Sequence, residues 1–576
     1  VRAATGGRVA PSFSVNWRRT PLRLWPWLAA IASGLACTAC FPPFDQTWLC
    51  WIALTPLLAA VWFSGVDARR RWLRNLLLGY VAGLTFFWSV FSWLTTVTVL
   101  GWFLLMFYMA VYYALWAWFA GIVRPGLRRP YPTRASSSER VKPPNMSIGA
   151  RSPWLNSWSN MGVAFLLACG WVAVEWVRGW MFSGWGWNSL GSALHRNLPL
   201  MQIVEYTGVA GLSFITAFVN VIALTTVRRF ILETHVRPMR PHYDLTLTMV
   251  AVLAVFIHGM RALQVRRPMD VVRVAAVQSN ISRDQKSSAD AAQTVFDRFT
   301  RLSEIALRAN PPPDLLLWPE SALPGPVLSD ETTHRYVMDF AASSKADLLL
   351  GSIDFDKESA YNAALLVSNG GNRVQVYRKI HLVAFGEYIP GRHTMPLFAQ
   401  IIGDQVPADF AFGQQHTVFR LTKNDVQVAP LICFEDTLGD LTRHFILEGA
   451  NLIANVTNDG WFLESAGSKQ HLANAVFRCV ESRRPMVRAA NTGVTCFVDQ
   501  FGRITQQLRD DTGNTFTEGV LTGEVAVPTS RDLTFFTRHG DLISPLSACV
   551  GLIVLVVNLP RLFKRRRPRS DDSAAV

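Results

Sequence analysis

Apolar stretches long enough to cross ~30 Å of hydrocarbon crowd the first 262 residues of this chain, and they limit its fold more than any other feature. They fall near 25–42, 47–63, 76–96, 98–123, 161–182, 205–227 and 244–262, with one more at 542–560, so about eight transmembrane helices are expected. In lipid each backbone polar group must be satisfied internally, which makes the first half a helix bundle. Between the seventh and eighth runs, residues 263–541 read differently. Strand-like and helix-like segments alternate there, the pattern of a layered α/β domain. No repeat of 20–50 residues is visible.

Charge sets the orientation. Arg18, Arg19 and Arg23, Arg69–Arg71 with Arg74, the 124–151 loop, Arg228, Arg229, Arg237 and Arg240, and Lys564–Arg567 all fall on one side under this count. The links at 41–46 and 96–100 carry no Lys or Arg. By the positive-inside rule the basic side is cytoplasmic and 263–541 lies outside. This accounts for the +15 net charge without nucleic acid: the excess sits in loops and tails, and no nucleic-acid motif accompanies it. The expected plan is a basic cytoplasmic tail at 1–24, a seven-span half at 25–262 with a flexible connector at 124–160, an outer domain at 263–541, a last span at 542–560 and a basic tail at 561–576. Residues 1–24 show no small-residue cleavage pattern behind the next apolar run, so the start reads as an uncleaved anchor.

Within the membrane half, Glu175 and Arg178 are three apart, on one helix face, in Trp171–Trp187. Each charge costs ~2.5–3.5 kcal/mol at mid-bilayer, so both are expected to face protein and to pair. Arg178 lies near the outer interface, where a lipid phosphate is an alternative partner. Of eight cysteines, only Cys433, Cys479 and Cys496 fall in the outer domain, which leaves at least one thiol unpaired. No His, Cys and Asp cluster has metal-ligand spacing, and neither a metal nor a cofactor is expected.

Strands are expected at 271–278, 314–320, 347–354, 361–368, 373–379, 417–421, 426–432, 451–457, 486–491, 494–499 and 519–527, with helices near 288–310, 331–344, after Cys433 and near 466–484. Three strands deliver chemistry at their C-terminal ends, where open α/β sheets build their sites. One ends at Glu320, one at Lys379 and one at Cys433, where a helix follows. A helix N-terminus there favours thiolate over thiol. A thiol needs a base for its proton and a cation for the oxyanion formed on attack, which a carboxylate and an ammonium supply. His381 and His471 are competing bases.

Trp318-Pro-Glu320-Ser-Ala, Tyr377-Arg-Lys379-Ile-His-Leu-Val-Ala-Phe-Gly-Glu387-Tyr-Ile-Pro and Ile432-Cys433-Phe434-Glu435-Asp resemble the three signature strands of the nitrilase (carbon–nitrogen hydrolase) superfamily. Together with the membrane half, and with Phe41-Pro-Pro-Phe44, Glu175…Arg178-Gly-Trp180, Thr457-Asn-Asp-Gly-Trp461-Phe462, Gln470-His471 and Thr537-Arg-His-Gly-Asp541, the chain resembles the apolipoprotein N-acyltransferase family. The resemblance implies a nitrilase-like αββα sandwich inserted between transmembrane helices. It implies a Glu320–Lys379–Cys433 triad supported by Glu387, Phe434 and Glu435. Arg178, Trp187, Trp461 and Phe398 are the expected substrate contacts. The chain departs from the family at Ser279, Ser282 and Ser287, and at Leu463-Glu464, where Gly-Asp is expected.

The implied reaction moves an acyl chain from a phospholipid, phosphatidylethanolamine by the resemblance, through a Cys433 thioester to the N-terminal amine of diacylated apolipoproteins. It places the protein in a bacterial inner membrane with its catalytic domain on the periplasmic side. The apolar run 382–402, with Phe398, is expected either to form a lid over the interface or to pack on the membrane half. Two other functions share these residues: a membrane-anchored amidase in which water resolves the thioester, and a membrane binding protein for which Cys433 is dispensable.

Overall fold

The computed structural model describes residues 20–65, 68–124, 153–233, 241–265, 267–282, 291–357, 359–392, 408–423 and 425–563. Among these, six helices are long and apolar enough to cross a membrane: Arg71–Val90, Val99–Ile122, Leu155–Trp180, Val204–Ile231, Tyr243–Ala262 and Ile543–Pro560. The first two expected spans are shorter, as the apolar helices Leu24–Ala39 and Thr47–Phe63, so the count of eight is not reached by length. The second is broken, a 3-10 turn at Thr47–Trp51 followed by a new helix at Thr55–Phe63 with Pro56 in its first turn. The break frees backbone groups, and buried Asn220 takes them up. Its Nδ2 donates to Cys50 O at 2.7 Å, and its Oδ1 accepts from Leu54 N at 2.8 Å. A side chain that restores lost backbone bonds makes such a break tolerable in lipid.

At one end of the bundle buried Asp244 gathers Arg229 at 3.3 Å and Asn160 at 2.6 Å, tying together helices that end in the basic links. At the other end, segments near Pro42, Val90–Trp93 and Trp185–Asn188 meet the α/β domain.

Among the described residues that domain holds two six-stranded sheets. The first contains β1 (Met269–Gln278), β2 (Leu315–Leu317), β3 (Asp347–Asp356), β4 (Ser359–Ser368) and β5 (Arg373–Arg378). The second contains β6 (Phe419–Arg420), β7 (Gln427–Ile432), β8 (Leu452–Thr457), β9 (Met486–Ala490), β10 (Cys496–Val498) and β11 (Ile504–Gln507), and β12 (Gly519–Pro528) returns to the first. The orders are β12-β1-β2-β3-β4-β5 and β11-β10-β9-β8-β7-β6. Side-chain alternation explains the layering. In β1, Val272, Val274 and Ala276 join the core shared with the second sheet, while Ala275 and Val277 pack with Phe299 and Val337 of helices Ala291–Leu307 and Glu331–Ser344. Helices Gly439–Leu447, Gly467–Ala475 and Phe477–Ser482 serve the second sheet, giving an αββα sandwich.

Several expected elements differ. The strand expected at 314–320 keeps only three residues, because Pro319 has no N–H to donate in a sheet interior. The helix near 466–484 is two helices meeting at Val476. The helix expected directly after Cys433 begins at Gly439, and Cys433–Thr437 is a single 3-10 turn. β11 was not expected: three of its four residues are polar.

Candidate active site

Parallel pairing of β1-β2-β3 and of β7-β8-β9 sets their carboxyl ends on one edge of the sandwich, and the three candidate side chains emerge there. Glu320 follows β2, Lys379 follows β5 and Cys433 follows β7. Two glycines let these chain segments approach. A Cβ on Gly351 would lie 2.5 Å from Glu320 Cα, and one on Gly413 would lie 2.0 Å from Arg378 O. Gly413 N donates to Lys379 O at 2.7 Å, which fixes the strand end where the lysine leaves it.

The Lys379 ammonium, 1% exposed, sits 2.8 Å from Glu387 Oε2 and 4.0 Å from Glu320 Oε1. Asn362 of β4 joins the two carboxylates: its Nδ2 donates to Glu320 Oε1 at 2.8 Å and to Glu387 Oε1 at 2.6 Å. Val383 N also donates to Glu387 Oε2, at 2.7 Å. Glu387 therefore orients Lys379, while Glu320 keeps an edge for the thiol, which stands among its hydrogen-bonding neighbours. Asn362 was missed by the sequence reading. Its one signal was an amide inside the apolar strand Tyr361–Val367.

Cys433 has φ 53°, the left-handed region, so the chain turns sharply as it leaves β7. Asn455 Nδ2 donates to the Cys433 carbonyl at 2.9 Å and steadies that turn. Fully buried Glu435 anchors it from the other side, accepting from Ile432 N at 2.9 Å, Ile380 N at 2.9 Å, His381 N at 3.0 Å and Tyr377 OH at 2.9 Å. Burial pushes its carboxyl up to about 7.

The electrostatics correct one expectation. Burial raises the Cys433 thiol well above its ordinary range, Glu320 raises it further, and Lys379 offsets this only in part. No thiolate is stored by a helix N-terminus, because one 3-10 turn separates Cys433 from the next α-helix. Burial also raises the Glu320 carboxyl, against the pull of Lys379. On Lys379, burial alone would lower the ammonium, but Glu387 and Glu320 more than reverse it. The site thus sets the Cys433 thiol beside the Glu320 carboxyl and the fixed Lys379 ammonium.

The two histidines differ in place. His381 stacks on Phe434 with ring centroids 5.8 Å apart, and burial and then Lys379 lower its basicity. His471 is engaged on both ring nitrogens, by Asp459 at 3.0 Å and Asp436 at 2.8 Å, and Arg488 holds the same two carboxylates. That buried network supports the turn at Cys433 and leaves His471 no nitrogen for Cys433.

The expected substrate contacts do not all meet the triad. Trp187, 2% exposed, stacks on Phe434 at 5.8 Å and forms a wall of the site. Trp461 is half-buried, its carbonyl accepting from Thr96 of the membrane half at 3.1 Å. Arg178 lines a separate small cavity with Phe86, Phe87, Tyr112, Tyr113 and Asn188. Its expected ion pair with Glu175 does not form within 4.0 Å among the described residues; Glu175 accepts from Leu190 N at 2.7 Å and Trp171 Nε1 at 2.9 Å instead. Phe398 lies outside the described residues, as does the rest of the apolar run beyond Arg392. Leu463, where a glycine is expected, holds φ 48° and ψ −160° and is exposed. All eight cysteines are free.

Residues 33–222 match the apolipoprotein N-acyltransferase N-terminal domain, and residues 273–534 match the carbon–nitrogen hydrolase domain. The chain is 32% identical to the apolipoprotein N-acyltransferase of Geobacter metallireducens over 94% of its own length and 96% of that protein's. It is 28% identical to that of Brucella melitensis over 96% and 97% of the two chains, and 27% identical to that of Chlorobaculum tepidum over 94% and 97%. Among solved structures, a CN-hydrolase superfamily protein from Xanthomonas campestris is 17% identical, with a TM-score of 0.35 over 45% of this chain and 92% of that one.

Proposed function

Because the chain belongs to the apolipoprotein N-acyltransferase family, we propose that Glu320, Lys379 and Cys433 carry its acyl transfer in two displacements through a thioester on Cys433. The protein is an acyltransferase of lipoprotein maturation, taking acyl chains from phospholipids and placing them on apolipoproteins.

In the first displacement Glu320 takes the thiol proton as sulfur attacks the sn-1 ester carbonyl of the donor. Lys379 Nζ and the backbone N–H of Phe434 hold the oxyanion, and Glu387 keeps the ammonium in place. Glu320 returns the proton to the departing alkoxide, and lysophospholipid leaves. In the second displacement the lipoprotein's N-terminal amine attacks the thioester and gives its proton to Glu320. The thiolate leaves and is reprotonated, and the product is an amide. Phosphatidylethanolamine is the donor in this reading, acting from the periplasmic side of a bacterial inner membrane. Trp187 walls the cleft, and Trp461 is a proposed contact for the acyl chains.

One observation carries the reading: the Lys379 ammonium lies between Glu387 and Glu320, while the Cys433 thiol faces Glu320 from a strained turn. The test is stoichiometric. Purified protein with phosphatidylethanolamine and a diacylated N-terminal-Cys lipopeptide should release one lysophospholipid per amide formed, and Cys433→Ala should release none. Free fatty acid in place of amide would make it a hydrolase.

A further inference from the structure

The membrane half reaches the nucleophile turn through a buried amide cluster that none of the roles above uses. Gln470, 1% exposed, has every hydrogen-bonding position of its side chain filled. Its Nε2 donates to Pro42 O at 2.8 Å and to Val90 O at 3.0 Å, and its Oε1 accepts from Trp93 Nε1 at 3.0 Å and Asn188 Nδ2 at 2.9 Å. Asn188, 2% exposed and at φ 54°, is clamped by Asn474: its N–H donates to Asn474 Oδ1 at 3.1 Å, and its Oδ1 accepts from Asn474 Nδ2 at 3.1 Å. The neighbouring Trp187 then lies nearly parallel to Phe434, 12° between planes, and donates Nε1–H to Thr437 Oγ1 at 3.3 Å. Phe434 and Thr437 both belong to the turn that starts at Cys433.

We propose that Gln470, Asn188 and Asn474 are positioning residues: they hold Trp187 of the membrane half against Phe434 and so aim the Phe434 N–H at the oxyanion. This rests on the reading of Cys433 as nucleophile. The cluster needs amides, because a carboxylate at 470 would set an oxygen against the Pro42 and Val90 carbonyls. One at 188 would set an oxygen against Gln470 Oε1. Such a polar group, buried and mismatched, pushes its neighbours apart.

Asn188→Asp keeps the size and the bond from Asn474. Thioester formation from phosphatidylethanolamine, followed by intact mass, should slow at least ~10-fold while the phospholipid KM stays within ~2-fold, the mark of an oxyanion donor moved off line. Alkylation of Cys433 by iodoacetamide, which builds no oxyanion, should keep its wild-type rate. Lowering the pH should narrow the gap to wild type, since a protonated carboxyl at 188 again donates to Gln470. Gln470→Glu should separate the two rates in the same way. Wild-type acylation in both variants, or acylation and alkylation falling together, overturns the proposal. A wild type that is alkylated but never acylated overturns the nucleophile reading itself.

Discussion

At Cys433, burial and the Glu320 carboxyl both act against ionisation, so the proposed mechanism depends on a base positioned beside the thiol. Glu320→Gln should lower thioester formation by ~10²–10⁴-fold, the range for a lost general base. His381→Ala should cost less than ~10-fold, since its ring packs on Phe434 and its basicity is depressed. Single-turnover mass spectrometry distinguishes the two. The pH profile follows from the same geometry. Glu320 must be ionised to act, and its carboxyl is raised by burial, so the rate falls with falling pH at values above the ordinary ~4.3 of glutamate. An acid limb at or below that value would place the base elsewhere. Leu463 offers a separate test. Its φ 48°, ψ −160° backbone suits glycine, and Leu463→Gly should raise thermal stability by about 1 kcal/mol in a melt.

At the scale of the element, the turn at Cys433 is held by side chains from outside it. Asp436, His471, Asp459 and Arg488 form one buried set, and Arg488→Met should destabilise by about 3–5 kcal/mol by stranding two carboxylates, seen as a lowered melting temperature. The pH sign is fixed by Asp459, whose pKa is about 2 against an ordinary value near 3.8; burial alone would raise it, and Arg488 outweighs that. Its contribution is complete above the ordinary value and is lost as pH falls toward about 2. Arg488→Met should erase that part of the acid sensitivity. These elements divide what a sequence can and cannot reveal. The strand ends at Glu320, Lys379 and Cys433 were legible because apolar runs stop there at ionisable residues. Asn362, Asn455 and the state of the thiol were not, since they depend on which strands become neighbours and on how much water the packing excludes. The helix expected at Cys433 failed on detail: residues 433–437 turn tightly before Gly439 lets an α-helix begin.

Across the whole molecule, the catalytic edge of the α/β domain and one end of the helix bundle close on each other around Trp187, Phe434 and Gln470. Arg229, paired with Asp244, lies toward the opposite end of the bundle. Under the proposed topology, exposed Ser343, replaced in Ser343→Cys, should react with a membrane-impermeant maleimide while the inner membrane is intact. Labelling only after lysis would invert the arrangement. The shared site also explains why an acyltransferase carries a bundle and not a single anchor: both substrates keep their chains in lipid, and exposing acyl chain to water costs about 0.8 kcal/mol per CH₂.

In the proposed mechanism Cys433 holds the acyl chain between two substrates. Intact mass of wild type and Cys433→Ala, taken after phosphatidylethanolamine and again after a diacylated N-terminal-Cys lipopeptide, tests it most directly. A hydroxylamine-labile acyl adduct should form on wild type alone and be discharged into the peptide as an amide. An adduct that decays to free fatty acid whether or not peptide is present, or a fully active Cys433→Ala, would contradict it.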